Sequence, residues 1–497
     1  MTTSVDGPSM LLQTLGPTQV VRLPSRARNN GAKALRLNSV LSAFDAADIT
    51  HGAVLSFHHH FRNGDRVVSE VLRCAALRGL TNLTLVCSSI FPAQSDILEH
   101  IKSGVVGKIV TSYMKGPLAD ALSAGVISIP VIFQSHGGRA RAITSAQIKI
   151  DLAIIGCSLA DVYGNVSGRW GGCICGPLGY SMVDASHARF AVALADSVTQ
   201  ETLVGAEIPA KHMDAIIEFP IPGLPDGIES GTTLAKSSPT SDLVGRKVLE
   251  VIRMSQLLKA GFSFQTGAGG YSLASVPIIA NELSNSRLIG GFMSGGITKD
   301  HIKLAKDGLF RKIFDVQSFD RVAAISSGVD DWHEFMSAEK YASPLFPAPI
   351  VNDLDVMIMG TAEIDTSFSV NVVTGGNGKI IGGPGGNPDT AEGAKLTIVT
   401  TDLVGGGYAK VVDRVNVRTT PGQFVDVLVT GDGIAVNPLR SDLISLAHDA
   451  GMRLVPIEQL AELAEKKCSK TRTTASGSIC GVIEDRHGSY LDSVNAI

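Results

Sequence analysis

The amino-acid sequence predicts an α/β protein made of two homologous α/β domains in tandem, each with a mostly parallel sheet flanked by helices. Three observations support this fold class. The chain has 497 residues, which is too long for one hydrophobic core. Short apolar runs alternate with longer amphipathic stretches, as expected for strands joined by crossover helices. Landmarks of the first half recur in the same order in the second half, which indicates a duplication.

The elements of the first half follow from the spacing of its apolar residues. Strands are expected at residues 53–57, 83–87, 108–111 and 152–156, and helices at residues 65–80 and 93–103. Strand–helix–strand units of this spacing join parallel strands, so helices are expected on both faces of the sheet.

Three pairs of segments carry the evidence for the duplication. In each pair the second segment follows the first by about two hundred residues. The pairs are residues 102–109 with 306–313, residues 151–161 with 353–363, and residues 51–52 with 260–261. The same order at a nearly constant offset predicts two copies of one fold.

The predicted domain organisation has five parts. They are an N-terminal extension (1–45), a first domain (46–225), a linker (226–242), a second domain (243–467) and a C-terminal tail (468–497). The linker is assigned to this position because the surrounding stretch is rich in Pro and Gly, which is typical of a connection between domains. The tail is polar and rich in Ser and Thr, and we expect it to be loosely attached.

Composition argues against several functional classes. The formal net charge of -4 is small for this length and predicts no nucleic-acid partner. The 7 Cys are irregularly spaced and are expected to be reduced thiols, since the close pair Cys173 and Cys175 is a weak metal signal. The N-terminus lacks a secretory signal pattern, and the most apolar segment, 118–133, is too short and interrupted to cross a bilayer. A cytoplasmic protein without a membrane partner is therefore expected.

A histidine-rich loop follows the first predicted strand. Ligands of open parallel sheets bind at the carboxyl ends of strands. Consecutive residues on an extended chain point to opposite sides, so three adjacent His do not easily bind one metal, and no metal site is predicted. The candidates for binding the carboxylates of a polyanionic acid are His58, His59, His60 and Arg62. Structural roles remain the alternative.

Glycine-rich turns mark the second half. The turn after its first strand contains Gly267, Gly269 and Gly270, and could offer backbone N–H groups to an anion, although it lacks the complete dinucleotide-binding fingerprint. A later segment delivers Glu363 from a strand end and continues into a second turn with Gly382, Gly383, Gly385 and Gly386. Such turns let a bulky ligand approach the backbone and can stabilise an oxyanion. Hairpin turns with solvated acids are the alternative.

Several common catalytic motifs are absent from the sequence. It contains no G-x-S-x-G elbow, no H-E-x-x-H and no P-loop lysine. Cys157 lies at a predicted strand end and could be a nucleophile, but a buried small residue is the favoured interpretation.

These landmarks together resemble the coenzyme A-transferase superfamily, in which two homologous α/β halves face each other across the active site. The resemblance covers about residues 50–465. It is carried by the segment Ala160-Asp161-Val-Tyr-Gly164-Asn165, by the turn Gly267-Ala-Gly269-Gly270, and by the run from Gly382 to Asp389.

Within the superfamily, the chain is most similar to the alpha subunits of bacterial citrate lyase. The specific strings are residues 56–65, 168–172 and 363–371, with the continuation to Asp389. The resemblance implies transfer of citrate onto an acyl carrier: acetyl-S-carrier and citrate give citryl-S-carrier and acetate. It also implies a cytoplasmic complex with a lyase beta subunit and a gamma acyl carrier protein, whose coenzyme A-like phosphopantetheine thiol carries the acyl group. Acetyl-coenzyme A is the expected substitute for this carrier. No cofactor is expected to be bound covalently to this chain, and a homo-oligomer is expected.

One departure from the superfamily bears on mechanism. Many members have a catalytic Glu after the strand that follows the second Gly turn, but here residues 288–296 contain no acid. A ternary-complex mechanism through a mixed anhydride, without a covalent enzyme thioester, is therefore expected. Glu363 is then the candidate to orient a reactant, with a structural role as the alternative. Two other functions stay open: a coenzyme A-transferase or acyl-coenzyme A hydrolase for another carboxylic acid, and a non-enzymatic subunit that binds an acyl carrier.

Overall fold

The computed structural model describes residues 21–27, 31–229, 233–267 and 269–497. Most of the predicted N-terminal extension (1–20 and 28–30), part of the predicted linker (230–232) and Ala268 of the first Gly turn lie outside the described residues.

The first sheet has eleven strands in the order β1-β9-β8-β6-β2-β3-β4-β5-β23-β24, with β7 paired to β6. All pairs are parallel except β6 with β7 and β23 with β24. The strands are β1 Leu35–Leu37, β2 Val54–Phe57, β3 Leu83–Cys87, β4 Val106–Thr111, β5 Val131–Phe133, β6 Leu152–Asp161, β7 Val166–Ser167, β8 Phe190–Thr199, β9 Ala215–Glu218, β23 Ile479–Glu484 and β24 Tyr490–Asn495.

The second sheet has eight strands in the order β13-β12-β11-β10-β14-β17-β21-β22. Its strands are β10 Phe264–Thr266, β11 Gly290–Ile297, β12 Phe310–Ser318, β13 His333–Phe335, β14 Val356–Gly360, β17 Leu396–Thr400, β21 Val427–Val429 and β22 Ile434–Val436. Two small sheets lie beside it, formed by β15 Glu363–Asp365, β16 Val370–Asn371 and β20 Val411–Val412, and by β18 Val404–Gly405 and β19 Tyr408–Ala409.

The two large sheets share one topology, which confirms the prediction of two homologous α/β domains. The path β9-β8-β6-β2-β3-β4-β5 in the first sheet corresponds strand by strand to β21-β17-β14-β10-β11-β12-β13 in the second. In both domains the first strand of this shared path, β2 or β10, lies within it, and the chain moves outwards to one end of the path before returning to the other side. The carboxyl ends of β2 and β10 are therefore equivalent positions.

Fifteen helices are described, and most flank the two sheets. They are α1 Val40–Ala46, α2 Val67–Leu77, α3 Ile97–Lys102, α4 Pro117–Ser123, α5 His136–Thr144, α6 Gly179–His187, α7 Pro239–Met254, α8 Gly270–Ala274, α9 Val276–Asn285, α10 Lys299–Lys306, α11 Arg321–Val329, α12 Ala338–Ala342, α13 Asn387–Gly393, α14 Ser441–Asp449 and α15 Ile457–Lys467. Their apolar faces pack on the strands, as in α2, where Val67, Val71 and Leu72 are buried.

The domain interface has its own hydrophobic core. Tyr180 and Ile143 of the first domain pack in one cluster with Val316, Met336 and Tyr341 of the second. Helix α12 contacts α5 and α6 across this interface. The two domains therefore hold their facing strand ends in a fixed relation.

The C-terminal segment corrects one prediction. The expectation of a loosely attached tail is wrong, because β23 extends the first sheet in parallel register, with Val482 opposite Ile132. The buried ion pair between Arg141 and Glu484 ties the strand to α5. The part of the predicted N-terminal extension that is described also belongs to the first domain, since β1 pairs with β9.

Two further features concern membranes and metals. Among the described residues, no helix combines the length and apolarity needed to cross a bilayer. The described residues also contain no group of three or more His, Cys, Asp or Glu side chains placed to hold a metal ion. Cys173 and Cys175 are free buried thiols. Cys157 is buried as well, and burial raises the pKa of its thiol far above its ordinary range, so it is not an activated nucleophile.

Candidate active site

A cavity of about 380 Å³ lies between the two domains, at the carboxyl ends of both sets of central strands. The first domain contributes residues that follow β2, β3, β4 and β5, and the second contributes residues in or after β10, β11, β12 and β14. Among the lining residues are His59, Arg62, Tyr113, His136, Tyr180, Gln265, Gln317, Phe319, Tyr341, Gly360 and Asn387. The position agrees with the rule that parallel sheets bind ligands beyond their carboxyl strand ends.

His59 and Arg62 of the predicted histidine loop both line the cavity. The His59 backbone N–H donates to Ser88 Oγ at 3.2 Å, and Ser88 Oγ lies 2.6 Å from Nδ1 of the same ring. The His59 carbonyl accepts a hydrogen bond of 3.0 Å from Gln317 Nε2 of the second domain. The loop is thus fixed from both sides of the interface.

The guanidinium of Arg62 lies between two aromatic rings, one from each domain. Its Cζ is 4.8 Å from the centroid of Phe91 and 4.8 Å from that of Phe319. The backbone of Arg62 has a φ of 50°, a left-handed conformation that few non-Gly residues adopt. Burial lowers the pKa of Arg62 to about 10, which leaves it cationic at neutral pH. The ring stacking orients a permanent positive charge in the cavity.

His58 and His60 do not line this cavity. They point into the interior of the first domain, where His60 Nε2 lies 3.1 Å from Ser181 Oγ. Burial, reinforced by the charge of Arg139, lowers the pKa of His58 to about 3, so its ring is neutral. The alternation of the extended chain therefore divides the three histidines between the cavity and the core.

His136 is a cavity residue that sequence reasoning missed. Its ring stacks on that of His59 with centroids 6.0 Å apart, and burial together with the charge of Arg139 lowers its pKa to about 3. Arg139 itself forms a buried bidentate ion pair with Asp184 at 2.8 and 2.7 Å. The available signal was a Ser-His-Gly-Gly segment directly after the apolar run of β5, the same strand-end position as the histidine loop.

The first Gly turn borders the cavity. Gly267 and Gly269 line it, whereas Gly270 begins α8 with a φ of 63° and does not. The Gly267 N–H is already used, because it donates to the Ile358 carbonyl at 2.7 Å. Nearby Gly360 also lines the cavity, and a Cβ added there would meet nothing within 4 Å, so the backbone is open to a ligand.

The second Gly turn is a contact between the domains as well as a cavity wall. Gly383, Gly385 and Gly386 line the cavity, and Gly382 lies just beside it. A Cβ on Gly383 would lie 2.2 Å from the Ser112 carbonyl oxygen, and one on Gly386 would lie 2.6 Å from the Tyr341 hydroxyl. Only glycine permits this close approach.

Glu363 is not brought to the cavity. It is buried in β15, where its carboxylate accepts hydrogen bonds from Asn371 Nδ2 at 2.9 Å and from the Asn416 N–H at 2.9 Å. Arg472 Nε donates to it at 2.8 Å. The first domain has an equivalent pair, in which Asn165 Nδ2 donates to Asp161 at 2.7 Å. These contacts favour the structural alternative for Glu363.

The cavity has the electrostatics of an anion site. Among the described residues that line it, none is acidic, and Arg62 supplies a cation. His59 and His136 face it as neutral rings, because burial lowers both pKa values well below 6.5. The residues near the position of the superfamily glutamate, in β11, also bring no carboxylate into it. The site can bind a carboxylate and offers polar groups of both domains around it, but no acidic nucleophile.

The sequence model of one family, described as citrate lyase, alpha subunit, matches residues 35–497. The chain is 39% identical over 461 residues to the citrate lyase alpha chain of Klebsiella pneumoniae, covering 93% of this chain and 91% of that protein. It is 38% identical over 456 residues to the citrate lyase alpha chain of Escherichia coli strain K12, covering 92% and 89%.

Solved structures show the same fold. A structure described as the alpha subunit of citrate lyase from Streptococcus mutans, in complex with citrate, superposes with a TM-score of 0.94 at 36% identity and covers 100% of this chain and 99% of that one. The alpha subunit of a malonate decarboxylase from Acinetobacter baumannii gives a TM-score of 0.63 at 15% identity over 89% and 94% of the two chains. That similarity concerns the fold alone.

Proposed function

The chain belongs to the family of citrate lyase alpha subunits, which are transferase components of citrate lyase, and from this premise we propose the reaction that its cavity carries out. Acetyl-S-carrier and citrate are converted to citryl-S-carrier and acetate. The observation that carries the proposal is the Arg62 cation, held between Phe91 and Phe319 in an interdomain cavity whose described lining is free of acids.

In this proposal, citrate binds on the first-domain side of the cavity. The Arg62 guanidinium pairs with one carboxylate, since Arg forms strong charge-assisted hydrogen bonds with carboxylates. His59 and His136 donate as neutral imidazoles, and Ser88 and the interdomain bond from Gln317 hold His59 in place. A neutral hydrogen-bond donor is suitable here, because one carboxylate of citrate must remain a nucleophile.

The thioester binds on the second-domain side, along the two Gly turns. The N–H groups of Gly267 and Gly385 already donate to the carbonyls of Ile358 and Ser112. Among the other N–H groups of the second turn, those of Gly383 and Gly386, which line the cavity, are therefore the candidate donors to the oxyanion. A preorganised donor of this kind contributes roughly 3 to 4 kcal/mol to transition-state stabilisation.

The chemistry proceeds in two acyl-transfer steps. A citrate carboxylate oxygen attacks the acetyl carbonyl and expels the carrier thiolate, which gives a mixed anhydride of citrate and acetate. The thiolate then attacks the citryl carbonyl and expels acetate. Holding both reactants in register supplies roughly 7 to 11 kcal/mol of the barrier. Seating both reactants in the cavity between the domains also limits the access of water, which would hydrolyse the anhydride.

The partners follow from the same proposal. The chain would work in a complex with a lyase beta subunit and a gamma acyl carrier subunit, the carrier presenting the thioester on a phosphopantetheine arm. We also propose that it is a cytoplasmic homo-oligomer. Acetyl-coenzyme A would replace the carrier in the test reaction.

Isotope transfer from citrate distinguishes this mechanism from a covalent one. The purified chain is mixed with acetyl-coenzyme A and citrate whose carboxylates carry ¹⁸O, and acetate is analysed after a single turnover. In the ternary mechanism the attacking citrate oxygen leaves with the acetyl group, so the acetate gains one ¹⁸O. A covalent glutamyl thioester would instead give unlabelled acetate and place the label on the enzyme. Unlabelled acetate, or an enzyme thioester reduced by borohydride at Glu363, would refute the proposal.

A further inference from the structure

A group of charged side chains lies on the second domain beside the first Gly turn. Lys236 Nζ donates to Asp402 Oδ2 at 2.6 Å and to the Tyr271 hydroxyl at 3.0 Å, and it lies 4.4 Å from the centroid of the Tyr271 ring. The Tyr271 hydroxyl also donates to Asp402. The side chains of Lys236 and Asp402 are 45% and 35% exposed, so a solute can reach them.

Lys410 brings a second ammonium group to this cluster. Its N–H donates to the Leu403 carbonyl at 2.8 Å, which places the Lys410 backbone opposite the residue that follows Asp402. Burial lowers the pKa of Lys410 to about 8, while the charge of Asp402 opposes this shift. Within the described part of the chain, no hydrogen bond or ion pair satisfies its ammonium group. The charges of Asp402 and Glu363 both act on Lys410, but Glu363 is already paired with Arg472, so this group of side chains keeps a net positive charge.

The cluster is joined to the cavity by the Gly turn itself. The Gly270 N–H donates to the Leu234 carbonyl at 3.0 Å, and the Lys236 N–H donates to the Gly270 carbonyl at 3.0 Å. Asp402 follows the end of β17, where Thr400 pairs with the cavity residue Gly360. A Cβ on Gly270 or Gly360 would meet nothing within 4 Å, so open space lies above the backbone on this side.

We propose that Lys236 and Lys410 form a subsite for a phosphate group on the arm of the thioester substrate, outside the cavity in which the acyl group reacts. The inference rests on the proposed function, because it requires a thioester donor whose arm leaves the cavity along the Gly turn. Lysine is a suitable phosphate ligand, as a compact point charge with three donors. A purely structural role would explain the ion pair between Lys236 and Asp402. It would not explain the ammonium group of Lys410, which has no hydrogen-bond or ion-pair partner among the described residues.

The test compares two acetyl donors that share the thioester and the pantetheine portion but differ in phosphate. Acetyl-coenzyme A carries phosphates and acetyl-pantetheine carries none. In the Lys410→Met variant, KM for acetyl-coenzyme A should rise about tenfold, the loss of one charge-assisted contact, with kcat unchanged. KM for acetyl-pantetheine should stay at the wild-type value. Lys303→Met, which removes an exposed lysine from α10, is the matched control and should change neither value.

Binding of inorganic pyrophosphate, measured by calorimetry without turnover, gives a second readout. It should be weaker in Lys410→Met than in the wild type and in Lys303→Met. Equal effects on both donors, or no effect on either, would overturn the subsite, as would unchanged pyrophosphate binding. A different result would refute the proposed function: the wild-type chain would make no citryl thioester from either donor.

Discussion

Arg62 is the residue whose substitution should change citrate binding most directly. In the Arg62→Gln variant the two aromatic rings remain, but the cation between them is lost. A hydrogen bond to a charged group contributes about 1.5 to 3 kcal/mol, so the dissociation constant of citrate should rise about 10- to 100-fold. Calorimetric titration of citrate into the purified chain measures this change.

A nearby arginine supplies the control for Arg62. Arg66 is exposed at the start of α2, outside the interdomain cavity, and loses the same charge in Arg66→Gln. Citrate affinity should then stay close to the wild-type value. Equal weakening by both substitutions would mean that the overall charge of this region, and not the sandwiched guanidinium, attracts citrate.

Glu363→Gln should alter stability and spare catalysis. The carboxylate is buried and receives the charge-assisted bond of Arg472, so its loss should lower the free energy of unfolding by about 1 to 3 kcal/mol. Because the side chain lies away from the cavity, kcat of the folded protein should remain within about twofold of the wild type. Denaturant unfolding and steady-state kinetics measure the two effects. A large loss of kcat with unchanged stability would mean that Glu363 takes part in the reaction.

The cavity residues show which parts of the site could be predicted from their position at the end of a strand. His59 and Arg62 could be predicted because a polar loop directly after a central strand faces the ligand side of the sheet. Alternation along the extended chain separates His59 from His58 and His60, but it does not say which side faces the cavity. That depends on where the loop turns and on the contacts of the rings with Ser88 and Ser181. Phe319 and Gln317 come from the other domain, and their approach depends on a tertiary interface that no local pattern encodes.

At the level of elements, hydrophobic periodicity predicted the first domain well. The expected strand at 83–87 is β3, and the expected strands at 53–57, 108–111 and 152–156 overlap β2, β4 and β6. The C-terminal hairpin was missed, although Val482 and Ile483 form part of an apolar run. Its partner β5 lies about 350 residues earlier in the chain, and a parallel pairing over that distance leaves no local sequence signal.

The hairpin should prove essential to stability through its buried ion pair. In Glu484→Gln, Arg141 keeps its charge at 2% exposure without its carboxylate partner. Breaking a buried pair on one side costs about 3 to 5 kcal/mol, and denaturant unfolding should show a loss of this size. His487→Gln changes an exposed hairpin residue that pairs with Glu392 and should cost less than about 1 kcal/mol. Similar, small losses in both variants would mean that β23 is only weakly attached.

At the scale of the whole molecule, the duplication explains why one cavity contains two kinds of surface. Both domains present the carboxyl ends of the same central strands to the interface, β2 with β3 and β10 with β11. The first domain has a cationic and imidazole-bearing loop at this position, and the second has glycine. In the proposed reaction, the loop of the first domain binds the anionic acid, and the glycine of the second domain leaves room for the thioester arm.

Two buried imidazoles, one in the interior of the first domain and one in the cavity, predict a steep loss of stability in acid. The pKa values of His58 and His136 are lowered to about 3 by burial, whereas the same groups in the unfolded chain titrate near 6.5. As the pH falls below 6.5, the unfolded chain binds protons that the folded chain does not, so the stabilisation present above this pH is lost. By linkage, each such imidazole costs about 2 kcal/mol between pH 7 and pH 5. Denaturant unfolding across this range should show a smaller loss for His136→Gln than for the wild type. His51→Gln, which removes an exposed imidazole, should follow the wild-type curve, and a His136→Gln curve parallel to the wild type would contradict the neutral imidazole in the cavity.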